Sequence, residues 1–270
     1  MPELPEVETT VRGLERVLAG ERIVRAAANR ADLRRAFPAD LVQTLVGARV
    51  TGLGRRAKYG LIHTDRGRTL VFHLGMSGRW RIDPEAIGKH DHLVLETAAG
   101  RVLALCDPRR FGSVDLVKTA ALADWPPFAA LGPEPLGPDF TGPGLGAALA
   151  GRSAAIKTLL LDQRIVAGLG NIYVCEGLFR ARIDPRRSAG TVKPAALRRL
   201  VAGLRAVLEE AIAAGGSSLR DYAQPSGQLG YFAKAFAVYG REGERCACGG
   251  RVARIVQGGR STWFCPKCQR

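Results

Sequence analysis

The stretch from residue 126 to residue 144 constrains the fold of this chain more than any other feature, because ten of its nineteen residues are proline or glycine. Regular helices and strands are not expected at that density. Upstream, short β-rich segments alternate with turn signals, as in β-sandwiches and barrels. Downstream, the apolar residues recur with a helical period. We therefore interpret residues 126–144 as a linker between a β domain and a helical domain.

The apolar pattern also predicts the individual elements on both sides of this linker. Near the N-terminus, the spacing of Val7, Val11 and Leu14 predicts an amphipathic helix with Pro5 at its first helical position. Strands are predicted at residues 21–28, 48–53, 58–64, 69–74, 92–96, 102–106 and 114–117. Helices are predicted downstream at residues 153–162, with Ser153 as the N-cap, and at residues 172–182 and 197–212.

The N-terminal sequence, Met1-Pro-Glu-Leu-Pro-Glu-Val-Glu8, suggests a reactive amine beside carboxylates. Removal of Met1 would leave Pro2 as a free secondary amine, and a free α-amine titrates at about 7.7–8.0, far below lysine. Attack of such an amine on an aldehyde-like carbon gives an iminium ion, which is an electron sink for elimination reactions. The alternative interpretation is a proline segment that only starts a helix, which is common.

The formal net charge of +15 and the isoelectric point of about 10.3 indicate a polyanionic partner, with nucleic acid ahead of an anionic membrane surface. The alternative is a protein that is basic throughout without such a partner. No apolar run reaches membrane-spanning length, and the charged N-terminus does not have the pattern of a signal peptide. These features predict a soluble cytosolic protein, in which structural disulfides are not expected.

Four of the six cysteines form two close pairs near the C-terminus, Cys246 and Cys248, and Cys265 and Cys268. Thiolates are soft ligands, and four of them suit tetrahedral Zn²⁺. Gly258-Gly259 lies between two predicted strands, so a hairpin would bring the pairs together. The alternative is a group of reduced cysteines without metal. Arg260 directly follows the turn and would lie at the tip of a basic hairpin suited to nucleic acid.

Three further segments have the composition of nucleic-acid contacts. The turn at residues 168–172 could offer backbone N–H groups to a phosphate, with Asn171 and Lys157 close by. Met76 lies in a glycine-rich loop, and Arg109 is two residues from Phe111. An apolar side chain next to an arginine is what a protein needs to unstack a base step. Taken by itself, each segment is more often an ordinary turn or a core residue.

Taken together and in this order, these features resemble the formamidopyrimidine-DNA glycosylases, bacterial base-excision enzymes that remove oxidised purines. The resemblance covers nearly the whole chain. Its matching stretches are residues 1–9, 56–59, 73–78, 89–92, 107–112, 131–136, 170–173 and 259–262.

The resemblance implies an α+β multidomain fold. An N-terminal antiparallel β-sandwich flanked by helices would occupy residues 1–125, followed by the linker at 126–144. A helix–two-turn–helix DNA-binding domain would occupy residues 145–235, and a terminal zinc-binding β-hairpin residues 236–270. The resemblance further implies one structural Zn²⁺ and damaged double-stranded DNA bound in a basic cleft between the domains. It also implies a monomer in the bacterial cytoplasm, associated with the nucleoid through DNA.

The resemblance also implies catalytic roles. Pro2 would attack C1′ of the damaged nucleotide, displace the base and form the iminium, with Glu3 as general acid and base at the sugar. Lys58 would donate a proton during β-elimination, and Arg260 would assist δ-elimination and hold a phosphate. The implied activity is therefore a glycosylase that also cleaves the abasic site.

The remaining roles concern binding and positioning. Residues matching those that fill the gap left by the flipped nucleotide are Met76, Arg109 and Phe111, with Arg109 facing the opposite cytosine. The matching DNA contacts are His90, Arg109, Arg152, Lys157 and Asn171. Glu6 and Glu176 match carboxylates that orient the active site, and residues 221–231 match the loop that covers the flipped base.

One feature departs from the family pattern, because a single residue separates Cys246 from Cys248 where the family usually has two. Three other interpretations stay open. The sister endonuclease VIII glycosylases share the Pro-Glu start, but they typically have glycine at the position of Leu4. A non-catalytic zinc-ribbon protein would explain the charge and the cysteines only. A metal-dependent nuclease would need a cluster of catalytic acidic and histidine ligands, which the sequence does not suggest.

Overall fold

The computed structural model describes residues 2–218 and 223–270, and the chain divides into two compact units. The first unit comprises Met1–Ala129 together with Ala214–Ala233. The second comprises Ala130–Ala213 together with Lys234–Arg270. Residues 214–233 therefore belong to the first unit, although they follow the longest helix of the second in sequence.

Among its described residues, the first unit contains two four-stranded antiparallel sheets and three α-helices. The helices are α1 (Leu4–Leu18), α2 (Leu41–Leu45) and α3 (Pro126–Ala129). The strands are β1 (Ile23–Ala28), β2 (Val50–Arg56), β3 (Tyr59–Thr64), β4 (Arg68–His73), β5 (Arg79–Ile82), β6 (Asp91–Thr97), β7 (Val102–Cys106) and β8 (Ser113–Lys118). The strand orders are β1-β6-β7-β5 and β2-β3-β4-β8.

Both sheets and α1 contribute to one apolar core. On α1, Val7, Val11 and Leu14 are buried at helical spacing, and they join a cluster with residues from both sheets. The rings of Phe72 and Trp80 meet edge to face at 5.6 Å inside this cluster. The prediction of an N-terminal β-sandwich with a flanking helix is thus confirmed. The helix starts at Leu4, so Pro5 takes its second position rather than its first.

The second unit is helical and ends in a hairpin. Its helices are α4 (Gly142–Leu149), α5 (Ile156–Leu160), α6 (Asn171–Ala181) and α7 (Pro194–Ala213). Its strands, β9 (Ala253–Gln257) and β10 (Arg260–Phe264), pair antiparallel. The apolar face of α7 is buried, including Leu197, Leu200 and Leu204. The helical domain and the terminal hairpin agree with the predicted fold class.

Two further local predictions were wrong, and one strand was not predicted. The Pro/Gly-rich stretch contains α3 and the start of α4, because proline is tolerated in the first turn of a helix and Thr141 caps α4 by accepting from Gly144 N–H at 3.1 Å. Ser153 is not an N-cap, since α5 begins at Ile156 after Ala155. Strand β5 was missed. Among the described helices, none is long and apolar enough to cross a membrane.

Candidate functional site

The N-terminal residues are held at the start of α1. Pro2 is buried, and Glu3 is only 2% exposed. The carboxylate of Glu6 reaches back, and its Oε2 accepts from the backbone N–H of Glu3 at 2.8 Å. A carboxylate in the first turn also suits the positive end of the helix dipole. The helix therefore fixes the position of the candidate nucleophile and of its neighbouring acid.

The second oxygen of Glu6 contacts a distant part of the same unit. Its Oε1 accepts from the backbone N–H of Ser217 at 2.8 Å. Ser217 lies just before the segment predicted to cover a flipped base, of which residues 221 and 222 fall outside the described part of the chain. Further along that segment, Pro225 O accepts from Ile82 N–H at 3.0 Å, and the Pro225 ring packs over Gly13 of α1. The described residues in the segment and just before it thus contact α1 and β5.

Lys58 lies on the two-residue turn between β2 and β3, next to Ala57, whose φ is +52°. Arg55 ties this turn to α1, because its Nη1 donates to Ala57 O at 2.9 Å and its Nε pairs with Glu8 at 2.9 Å. Lys58 is 8% exposed. Burial and then the positive charge of Lys58 lower the pKa of His73 to about 4. The role of Arg55 was not predicted from the sequence, because it depends on a contact with Glu8, which is far away along the chain.

The residues predicted to enter the DNA all lie in the first unit. Phe111 is a large aromatic side chain with 48% exposure, and the guanidinium of Arg109 stacks over its ring at 4.8 Å. Met76 is half-buried in the loop after β4. His90 is half-buried as well, and its ring meets His92 edge to face at 6.3 Å. An exposed aromatic stacked by a cation is suited to insertion between bases.

Two predicted DNA-binding residues of the second unit, Lys157 and Asn171, lie at the terminal hairpin that carries the predicted catalytic residue Arg260. Lys157 Nζ and Asn171 Nδ2 both donate to the carbonyl of Ser261, at 3.4 and 2.9 Å. Arg260 directly precedes Ser261 and is exposed, after a turn in which both Gly258 and Gly259 have positive φ. The Oδ1 of Asn171 is buried without a partner among the described residues, so this amide has an unused acceptor.

Two other predicted residues have different surroundings. Arg152 is exposed, and its carbonyl accepts from Ser188 Oγ at 3.2 Å and from Gly190 N–H at 2.9 Å. Glu176 is 1% exposed and accepts from three consecutive backbone N–H groups, those of residues 237, 238 and 239, at 2.8–3.0 Å. In the second unit, Glu176 therefore fixes the chain that leads into the hairpin.

The two cysteine pairs meet as the spacing predicts. The sulfurs of Cys246, Cys248, Cys265 and Cys268 all lie within 4.8 Å of one another, with closest separations of 3.5 and 3.9 Å. Tetrahedral Zn²⁺ with bonds of about 2.3 Å would place its sulfurs about 3.8 Å apart. The N–H of Gly250 points at the sulfur of Cys248 and lowers its pKa to about 7, which favours a thiolate. The four cysteines fit one zinc ion.

Three family models match successive parts of the chain. The model described as formamidopyrimidine-DNA glycosylase N-terminal domain matches residues 1–114, and the one for the H2TH domain of the same glycosylase matches residues 131–223. The zinc finger found in FPG and IleRS matches residues 243–270. The chain belongs to the formamidopyrimidine-DNA glycosylase family.

Similar proteins extend this result over the full length. The formamidopyrimidine-DNA glycosylases of Novosphingobium aromaticivorans and Rhizorhabdus wittichii are 74% and 67% identical to the chain, and each alignment covers 100% of both proteins. The solved MutM (Fpg) protein of Thermus thermophilus is 43% identical, with a TM-score of 0.89 over 99% of this chain and 98% of that one. A Lactococcus lactis Fpg in complex with DNA containing an abasic site is 36% identical, with a TM-score of 0.91 over 100% of both chains.

Membership of the formamidopyrimidine-DNA glycosylase family decides between the interpretations that the sequence left open. A protein with only a zinc ribbon would match at the C-terminus alone, whereas the matches here begin at residue 1. The zinc finger of the family is present despite the short spacing between Cys246 and Cys248.

Proposed function

We propose that this protein removes oxidised purines such as 8-oxoguanine and formamidopyrimidines from double-stranded DNA and then cleaves the abasic site, with Pro2 as the nucleophile. The observation that carries the proposal is the placement of Pro2 and Glu3, which are both buried at the start of α1, where Glu6 accepts from the N–H of Glu3. Two solved relatives support the substrate class. A mutant of the Lactococcus lactis Fpg forms a complex with DNA containing Fapy-dG, and the Lactococcus lactis Fpg forms one with DNA containing an abasic site.

The first chemical step uses the amine and the acid. The Pro2 nitrogen forms a bond to C1′, the bond from C1′ to the base breaks, and the base leaves with the electron pair and a proton. Opening of the sugar ring then gives an iminium between Pro2 and C1′, with Glu3 moving protons at the sugar oxygen. A secondary amine cannot neutralise this iminium by losing a proton from nitrogen. The cation therefore draws electrons from the C2′–H bond and promotes elimination.

The following steps cleave the backbone. Loss of a C2′ proton expels the 3′ phosphate in β-elimination, and Lys58, held on its turn by Arg55, acts as the proton donor in this step. A second elimination expels the 5′ phosphate, and Arg260 binds phosphate during this step. The zinc ion, held by the four cysteines, supplies no chemistry to the reaction. It stabilises the small hairpin on which Arg260 lies.

Binding and selection precede the chemistry. Arg152, Lys157, Asn171 and His90 are proposed phosphate contacts, and the charge of the exposed Arg152 would make affinity dependent on salt. Met76, Arg109 and Phe111 are proposed to occupy the space that the flipped nucleotide leaves. We place the protein with the chromosomal DNA in the cytoplasm and expect it to act as a monomer. Light scattering of the purified protein with and without DNA tests the last point.

Trapping with borohydride tests the proposed function directly. Protein with a mature Pro2 terminus is incubated with a duplex that carries 8-oxoguanine opposite cytosine, and reduction should give a covalent adduct. The adduct should be absent for Pro2→Gly and for a chain that retains a residue ahead of Pro2. Both altered chains should still bind a duplex with an abasic-site analogue. A duplex with an oxidised pyrimidine should react more slowly. If the mature protein gave no adduct with the 8-oxoguanine duplex, the proposed mechanism would be ruled out.

A further inference from the structure

Two loops of the first unit carry the residues proposed to enter the DNA. The Met76 loop comprises residues 74–78 and joins β4 to β5. The Arg109 loop comprises residues 107–112 and joins β7 to β8. The two loops are about thirty residues apart in sequence, and each crosses from one sheet of the sandwich to the other.

The carboxylate of Asp107 connects the two loops. Asp107 is 1% exposed, and its Oδ1 accepts from Ser77 Oγ in the Met76 loop at 2.7 Å. Its Oδ2 accepts from the N–H of Gly112 at the far end of the Arg109 loop, at 2.8 Å. Ser77 Oγ in turn accepts from the N–H of Arg109 at 3.2 Å. The hydrogen bonds run from one loop to the other and back, with Asp107 at the centre.

The backbones of the two loops are in direct contact, which is a separate observation. A Cβ added to Gly75 would lie 2.5 Å from Gly112 N, and one added to Gly112 would lie 2.7 Å from His73 O. Both distances are too short for any side chain, so this approach requires glycine on both loops. The φ of Gly75, +61°, adds to that requirement. The loops therefore interlock at the backbone as well as through Asp107.

The backbone of Asp107 also connects to strand β6 and the residue before it. Its N–H donates to His90 O at 2.9 Å, and its carbonyl oxygen lies 3.0 Å from Nε2 of His92. His90 is itself a proposed DNA contact. Asp107 thus lies where three parts of the first unit proposed to face DNA meet, namely the Met76 loop, the segment of His90 and the Arg109 loop, which also carries Phe111.

We propose that Asp107 is a positioning residue that makes the two loops one rigid wedge, so that Met76, Arg109 and Phe111 enter the DNA in a single step. This inference rests on the proposed function, because it assigns the wedge to base flipping. Without the carboxylate, the loops lose their shared acceptor and each has to be ordered separately when DNA binds. Ordering during binding reduces affinity and speed, whereas a preorganised wedge avoids that loss. Arg109 would then also lose its fixed position opposite the partner base.

The test follows the unstacking of the DNA rather than the chemistry. A duplex carries an abasic-site analogue with 2-aminopurine as its neighbour, and the rise of fluorescence on mixing reports entry of the wedge. Asp107→Ala should slow this rise at least about tenfold, as expected when two hydrogen bonds to a buried carboxylate are lost. It should also reduce the preference for cytosine over adenine opposite 8-oxoguanine. Cleavage of an abasic site in single-stranded DNA, which needs no wedge, should be unchanged.

Two further variants separate positioning from general damage. Asp107→Asn should stay close to wild type, because its oxygen can accept from Gly112 N–H while its amide donates to the Ser77 hydroxyl. Ser77→Ala should give a partial loss, and the double variant Ser77→Ala with Asp107→Ala should be no slower than Asp107→Ala, since both act through one bridge. Additive losses, or an equal loss on single-stranded DNA, would overturn the proposal. So would a wild-type fluorescence rate for Asp107→Ala.

The outcome is independent of the trapping experiment. The abasic-site analogue cannot form an adduct, so a normal fluorescence response with failed trapping would remove the proposed chemistry and leave the wedge standing. Normal trapping together with an Asp107→Ala variant that unstacks DNA at the wild-type rate would leave the proposed chemistry standing and remove the role of Asp107 in the wedge.

Discussion

Glu6 accepts a hydrogen bond from the backbone N–H of Ser217, 211 residues further along the chain, at 2.8 Å. The other oxygen of the same carboxylate accepts from the N–H of Glu3. One side chain therefore joins Glu3, the residue directly after the candidate nucleophile, to the chain that leads into the proposed base-covering segment. Glu6 is 1% exposed, so neither N–H group can turn to water if the carboxylate is altered.

Glu6→Gln is expected to weaken both the fold and the chemistry. Glutamine keeps only one of the two oxygens, and its amino group would face the other N–H, so one buried donor is left unpaired at a cost of about 1–3 kcal/mol. The rate of borohydride trapping should fall as Pro2 and Glu3 lose their fixed position. Chemical denaturation and single-turnover trapping measure the two effects.

Glu15→Gln, at an exposed position on the same helix, is the matched control and should stay within about 0.5 kcal/mol of wild type. Wild-type trapping by Glu6→Gln would contradict the positioning role of Glu6.

Much of the fold was predictable because it depends on short-range patterns. The burial of Val7, Val11 and Leu14 follows directly from their helical spacing. The clustering of the four C-terminal cysteines likewise follows from their arrangement as two close pairs. The Pro/Gly-rich segment shows where such reasoning fails. Its composition predicts no helix, but some of its prolines lie in the first turn of α3 or α4. The N–H groups of the first turn make no hydrogen bond within the helix, so a proline there removes none.

The contacts that organise the site were not predictable, because they join residues far apart in the chain. In the sequence, Asp107 is only the first residue of the matching stretch 107–112. Nothing local indicates that its carboxylate reaches Ser77. Similarly, the family resemblance marked Glu176 as an orienting carboxylate, but its three backbone donors come from residues 237–239. Acceptors of this kind are recognisable only once the donors are in place.

Gly250 is expected to be essential for zinc retention in a finger with the short cysteine spacing. A Cβ at this position would lie 2.9 Å from the sulfur of Cys265 and 3.3 Å from that of Cys248. Gly250→Ala therefore has to push a ligand out of place, and loss of zinc to a chelator should accelerate by about tenfold, in line with the usual effect of disturbing the support of a metal site. A metallochromic indicator and the spectrum of the cobalt-substituted protein report the change.

The control is Gly258→Ala at the hairpin tip, where an added Cβ meets nothing within 4 Å. Its φ of +54° costs some local strain, but the cysteines are not affected. Zinc loss at the same rate from both variants would show that crowding of the sulfurs is not the cause.

His73 should make the stability of the protein depend on pH. Its pKa is lowered to about 4 by burial and by the charges of Lys58, Arg34 and Arg35. Its ordinary pKa in an unfolded chain is about 6.5. Between these values the unfolded state binds a proton that the folded state does not, so the free energy of unfolding falls as the pH is lowered from 6.5 towards 4. The loss amounts to at most about 3 kcal/mol.

His73→Asn removes this titration while keeping an oxygen that can accept from Gly75 N–H, as His73 Nδ1 does at 2.9 Å. Denaturation of both proteins at about pH 7 and pH 5 gives the comparison. Between these two pH values, wild type should lose more of its free energy of unfolding than His73→Asn does. Parallel pH profiles for the two proteins would contradict the assigned shift.

Arg152 is the clearest position at which to test a phosphate contact by electrostatics alone. The side chain is exposed, and the hydrogen bonds described for this residue are made by its backbone, so removal of the side chain should leave the fold intact. Each neutralised phosphate contributes about 0.9 to the slope of log K against log salt. Arg152→Ala should therefore lower the slope by about 1 and weaken binding to damaged and undamaged duplexes alike.

Arg25→Ala is the control, because this arginine on β1 is 75% exposed but is not among the proposed contacts. Fluorescence anisotropy over a salt series decides the question. An equal slope for Arg152→Ala and wild type would exclude a phosphate contact, and an equal reduction in both variants would mean that only overall charge matters.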